Sequence, residues 1–189
     1  MAQVKNNKSN VSAIKGVMGG YFFSAPLGTK IPTDLKTPLN EAFVNIGYIS
    51  EDGISGKIDI ASKDTKDMNG DTVDTTITEF TETFELTFIE VKKDALAEVY
   101  GHKNVEDKAG IITVKHNSKD PDERIGLMEL VLKNGRRQRT VIPRYKRTEI
   151  GDITYGADSV SGRSITLKAI GDEEGNTTID IIESTETSA

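Results

Sequence analysis

The sequence predicts a mainly β, α+β fold: a two-sheet antiparallel β-sandwich or partly closed barrel with a flanking α-helix, a long β-hairpin loop and flexible terminal arms. Three observations carry this reading. Apolar residues recur with a period of two along most of the chain, Gly, Pro, Asn and Asp interrupt the runs at short intervals, and only two short stretches show helical signals. At 189 residues the chain fits one domain. That domain is expected over residues 17–183, between an N-terminal arm at 1–16 and a C-terminal tail at 184–189. The arm carries three lysines and no acid, whereas the stretch from Asp172 onward has six acids and no base. Neither end holds enough apolar surface to offset its own ordering.

In chain order, Gly20–Ala25 reads as a short strand stopped by Pro26 and Gly28, with Gly16–Gly20 as a flexible hinge before it. Thr37 is a candidate N-cap with Pro38 in the first turn, which predicts a helix to about Phe43. Residues 50–76 are polar, rich in Asp, Lys and Gly, and expected as a long loop; a loop of that length is functional or disordered. The clearest strand spans 78–91, with Phe80, Phe84, Leu86 and Phe88 on one face. Glu79, Thr81, Thr83, Glu85 and Thr87 fall on the other. Lys92–Tyr100 predicts a helix with Leu96, Val99 and Tyr100 on one stripe and Gly101 as its stop. Strands follow at Ile111–Val114, Leu127–Lys133, Arg136–Ile142, Thr148–Thr154, Arg163–Ile170 and Thr177–Ile182. Asn134-Gly135 marks a two-residue hairpin turn.

Composition excludes much chemistry. Thirty acids against 24 bases give a net charge of −6, which disfavours a protein that tracks nucleic-acid phosphates. With no cysteine there are no disulfides, thiolate metal sites or thiol nucleophiles. No signal peptide or membrane span is expected. His102 and His116 stand in polar surroundings and read as solvated. Gly16–Gly20 lacks the spacing of a phosphate loop. Asp67-Met68-Asn69-Gly70-Asp71 resembles a calcium loop, but aligning Gly70 puts Thr65 and Thr76 where acidic ligands are required, so a tight turn is the better reading. No catalytic residue, cofactor or metal site is expected.

Two patterned surfaces remain. The run Arg136, Arg137, Arg139, Arg144, Lys146 and Arg147 is either a solvated strand edge or a charge-paired subunit contact. The row Glu79, Thr81, Thr83, Glu85, Thr87 is either an ordinary solvated face or the wall of an aqueous channel, since short hydroxyl and acidic side chains do not attract a polyanion.

From Gly20-Tyr21-Phe22-Phe23-Ser24-Ala25-Pro26-Leu27-Gly28-Thr29, through Pro32, to Phe43-Val44-Asn45-Ile46-Gly47-Tyr48-Ile49-Ser50-Glu51-Asp52-Gly53, the chain resembles the major tail proteins of long-tailed, non-contractile bacteriophages. Phe84–Ile89, Val99-Tyr100-Gly101, Ile142-Pro143, Gly151–Tyr155 and Gly175-Asn176-Thr177 continue the likeness. Met68–Val73 departs from it where a Trp-Gly pair is common, as does Arg163 where an aromatic is frequent. The resemblance implies a tail-tube-like structural virion protein that assembles as stacked hexameric rings around an acidic-walled channel for genome DNA. It implies itself as main partner, with the tape-measure and tail-terminator proteins, no membrane, synthesis in the host cytoplasm and residence in the virion tail. Stacking would fall to the long loop, with Lys63, Asp67, Met68 and Asp71 at its tip, and to the terminal arms. An alternative is an adhesion or carbohydrate-binding sandwich, which would favour exposed aromatics that the loop lacks.

Overall fold

The computed structural model describes residues 6–158 and 160–185; the outermost parts of both expected arms, 1–5 and 186–189, lie outside the described residues. Eleven strands are present among them: β1 (Ile14–Gly16), β2 (Phe22–Pro26), β3 (Val44–Asn45), β4 (Ile49–Lys66), β5 (Thr72–Phe88), β6 (Val105–Lys108), β7 (Ile111–Val114), β8 (Arg124–Leu132), β9 (Arg137–Ile150), β10 (Arg163–Ala169) and β11 (Ile179–Ile182), with a helix α1 (Lys93–Tyr100). Nine strands form one antiparallel sheet in the order β3-β2-β8-β9-β10-β5-β4, with β1 added to β8 and β11 to β9; β6 and β7 form a separate pair. The sheet does not close into a barrel, because β3 and β4 end the path. The last residues of the N-terminal arm are ordered as β1, paired along Leu130–Leu132.

The large sheet curls over its own apolar face. Phe22 of β2 and Phe88 of β5 stand four steps apart in strand order, yet their ring centroids are 6.1 Å apart. Between them lies the main core of Leu86, Met128, Ile142, Tyr145, Ile165 and Leu167, closed at one end by Ala95 and Val99 of α1. The two separately expected strands Arg136–Ile142 and Thr148–Thr154 are one strand, β9, which ends at Ile150. Its pairing with β8 slips by one residue, from Gly126 opposite Ile142 to Arg124 opposite Tyr145. Pro143 falls in that bulge because it has no N–H to give the ladder. Below the bulge β9 pairs with β11, and above it with β10, so the bulge is where the sheet divides.

The helix expected from Thr37 does not form. The Asp34 carboxylate accepts the N–H groups of Lys36 and Thr37, each at 2.6 Å, and Asn40 accepts that of Ala42 at 2.9 Å. An N-cap carbonyl normally receives the first helical hydrogen bond. The Thr37 carbonyl instead accepts from Arg139 Nη1 at 3.0 Å. The segment becomes a strap whose Ile31, Leu39 and Phe43 cover a second core of Ala25, Ile125, Leu127 and Val141 on the opposite face of the sheet.

Residues 50–76 are also not a loop. Apart from a bulge at 50–53 and the tip, the segment is ladder, from Ile54 opposite Leu86 to Lys66 opposite Thr72. Four residues, 133–136, connect β8 to β9 rather than two, with Lys133–Gly135 as a single 3-10 turn, and both Asn134 and Gly135 take positive φ as the dipeptide suggests. The helix expected at Lys92–Tyr100 forms as α1, and Gly101 at φ 95 closes it, its N–H reaching the Ala97 carbonyl at 2.8 Å.

Candidate functional site

Strands β4 and β5 leave the body as an exposed two-stranded ribbon, and its two faces differ. Cross-strand partners share a face, so Ile60 opposite Phe80 and Ile58 opposite Glu82 continue the face that carries Phe84 and Leu86 into the core. A bulge between Ala61 and Ser62 brings Ile77 onto the same face, opposite Ser62. Ile58, Ile60, Ile77 and Phe80 are between 48% and 62% exposed. Phe80, expected among the buried residues, therefore lies on the core face of β5 but beyond the end of the core. Glu82 is buried on that face, accepting hydrogen bonds from the hydroxyls of Thr177 and Thr178. The only hint of this in the sequence is an acid at an inward position of the alternation.

The opposite face of β5 carries the expected row, with Glu79 and Glu85 exposed and Thr81, Thr83 and Thr87 half-buried. Register extends it sideways. Ser55, Lys57 and Asp59 of β4 stand opposite Glu85, Thr83 and Thr81. Ser164, Thr166 and Lys168 of β10 stand opposite Thr87, Glu85 and Thr83, followed by Glu149 and Lys146 of β9. The face is thus hydroxyl-rich and mixed in sign, with Asp59, Glu79, Glu85 and Glu149 set among Lys57, Lys146 and Lys168, not uniformly acidic as expected from one strand.

The tip holds Asp67, Met68 and Asp71, with Lys63 further down β4. Asp67 accepts the N–H groups of Asn69 at 2.8 Å and Asp71 at 2.9 Å, and the bond from Asp71, then that from Asn69, holds its carboxyl below the usual carboxylate range. This is the tight turn expected there.

The basic run does not form one cationic surface. Arg139 is 3% exposed, ion-paired with Glu129 and tied to the carbonyls of the strap, so it is withdrawn from the candidate contact residues. Alternation along β9 turns it onto the face that the strap covers. Arg144 pairs with Glu123, and Lys146 with Asp120 at 3.0 Å. Arg136 donates to Ser12 Oγ at 3.1 Å, Arg137 is exposed, and Arg147 is half-buried.

Sequence reasoning missed a buried polar cluster. Glu98 sits on the sheet-facing side of α1 between Ala95 and Val99. Its Oε1 lies 3.1 Å from both Arg124 Nε and His102 Nε2, and its Oε2 accepts from the Tyr145 hydroxyl at 2.7 Å. Arg124 Nε also donates to Ser24 Oγ at 2.6 Å, and Ser24 Oγ is 2.7 Å from the Tyr145 oxygen. Burial pushes the Glu98 carboxyl up, but the His102 hydrogen bond and charge, with the Arg124 charge, outweigh it and hold the group below its ordinary range. Neither histidine is simply solvated: His102 is on Glu98, and the His116 ring stacks on Tyr100 at 4.3 Å.

Against known proteins, the family described as phage tail tube protein matches residues 6–189. No curated protein matches. Among solved structures the chain is similar to the anti-feeding prophage cap, a tube-terminating cap determined by cryo-EM, at 12% identity and a TM-score of 0.45, over 93% of this chain and 98% of that one.

Proposed function

This chain belongs to the phage tail tube protein family, and from that premise we propose that it is a tube subunit forming stacked hexameric rings around a channel for genome DNA. The observation that carries the proposal is the ribbon. An unpartnered apolar stripe of Ile58, Ile60, Ile77 and Phe80 continues the core face out of the body, and among the described residues no strand lies beside the outer edge of β4. A long exposed strand edge is an aggregation hazard unless something covers it. A neighbouring subunit removes the hazard, and closed symmetry leaves no edge open. The mixed polar face suits the channel wall: hydroxyls and alternating charges hold neither sign of polymer firmly.

No catalytic role is proposed. The test is negative-stain microscopy beside circular dichroism for wild type and the double variant Ile60→Asp, Phe80→Asp. Both side chains are half exposed, so the variant is expected to fold, while rings or tubes formed by the wild type are lost. A folded variant that assembles like wild type overturns the ribbon's role, and a wild type that never associates overturns the tube.

A further inference from the structure

Residues 93–114 form a unit with its own sheet and its own small core. Strands β6 and β7 pair only with each other, and Leu96, Ala97 and Val105, with Tyr100, Ile112 and Val114 against them, make a cluster separate from the main one. Among the described residues, no strand of the large sheet pairs with this unit. Its apolar attachment to the body is slight: Ala95 and Val99 are the buried side chains it gives to the main core, with Tyr100 packed at the margin. Between Ala95 and Val99, where an apolar residue would complete the stripe, stands Glu98, 5% exposed.

We propose that Glu98 is an ionic latch that docks this helix–hairpin unit on the sheet, and that protonating it releases the unit while the sheet stays folded. The groups facing Glu98 come from every neighbouring element: Arg124 from β8, Tyr145 from β9, His102 from the turn after α1, and the Ser24 hydroxyl of β2 through Arg124 and Tyr145. Arg124 is itself buried. With Glu98 ionised, one buried negative charge faces the buried guanidinium and every Glu98 oxygen has a partner. With Glu98 neutral, the guanidinium is left as an uncompensated buried charge, which is costly. Water can reach it most cheaply if the weakly packed unit lifts away, since the nine-stranded sheet would have to break ladders.

The sign follows from the carboxyl being held below its ordinary range in the folded state. The latch is fully present above the unfolded value of about 4.3 and is lost as pH falls through the lower folded value.

Hydrogen exchange on the full chain, corrected for the intrinsic rate at each pH, tests this. Between about 4.3 and the lower folded value, protection at residues 94–100 and 105–114 is expected to fall by about tenfold per pH unit and then to level off, while β8 and β9 stay protected. Glu98→Gln should lower protection of the unit already at pH 7 and flatten its pH dependence. Because that variant strands Arg124, the pair Glu98→Leu, Arg124→Met is the control, expected to stay docked with no pH step in the unit. The latch is wrong if the unit and central strands lose protection together throughout, or if the double variant keeps the wild-type pH dependence.

Discussion

Arg139 shows how much one buried charge organises. Its guanidinium meets Glu129 across the β8–β9 ladder and reaches the carbonyls of Asp34 and Thr37 in the strap, so one side chain joins two strands to an irregular segment. Removing one partner of a buried ion pair leaves the other uncompensated and costs about 3–5 kcal/mol, whereas replacing both by apolar groups is often neutral. Arg139→Met is therefore expected to lower the urea-unfolding free energy by about that amount. Adding Glu129→Leu should restore much of it. A single variant within about 0.5 kcal/mol of wild type would show that the pair does not hold the strap.

At the scale of elements, the ribbon and the strap make opposite use of polar residues. In the strap, Asp34 and Asn40 draw backbone N–H groups into local turns, which prevents a helix. Along the ribbon, polar side chains point outward from a continuous ladder, and the polar segment is structured because its partner strand satisfies it. The tip lies beyond the ladder, and Asp67 closes it locally. Shortening the ribbon should therefore not disturb the cores. Deleting residues 63–76 and joining Ser62 to Ile77, which stand opposite each other, through Asn-Gly is expected to leave the thermal midpoint within a few degrees of wild type, by about the scaling of small local changes. Ring stacking should be lost, read as discs or single rings in place of tubes in the microscope. Full-length tubes from the shortened chain would place stacking elsewhere.

For the whole molecule, the curled sheet fixes which surface can face a channel. Phe84, Leu86 and Phe88 are buried, each side chain contributing roughly 1.5–3 kcal/mol, so β5 cannot turn over without losing the core. Glu79, Thr81, Thr83, Glu85 and Thr87 then face outward together with their neighbours on β4, β10 and β9. On the proposed reading this face lines the lumen and its lysines offset its acids. Glu79→Lys with Glu85→Lys would remove that balance. In assembled tails the double variant is expected to fold and polymerise but to reduce genome delivery, seen as fewer plaques per particle. If plaque yield per particle is unchanged, the face does not line the channel.

By itself the sequence determined the class of fold, the helix at α1, the strands β2, β7, β8, β10 and β11, the tight turn at Asp67 and the outward row on β5. Each depends on local information: period, caps, turn chemistry and the strict alternation of a strand. The family resemblance was legible for a similar reason, since its motifs sit in the turns and strand ends around β2, β3 and β9. Tertiary structure alone decided the rest. At Thr37 the distant Arg139, 102 residues away, takes the carbonyl that a helix would need and so adds to the local turns of Asp34 and Asn40. Nearly all of β4 and the first residues of β5 are too polar to be read as strand until each supplies the other's ladder. Glu98 reads as one more acid on a helix until Arg124, His102 and Tyr145 close around it. Such groups are placed by desolvation and by partners distant in the chain. A charge is tolerated in a core only where folding brings its counter-charge alongside.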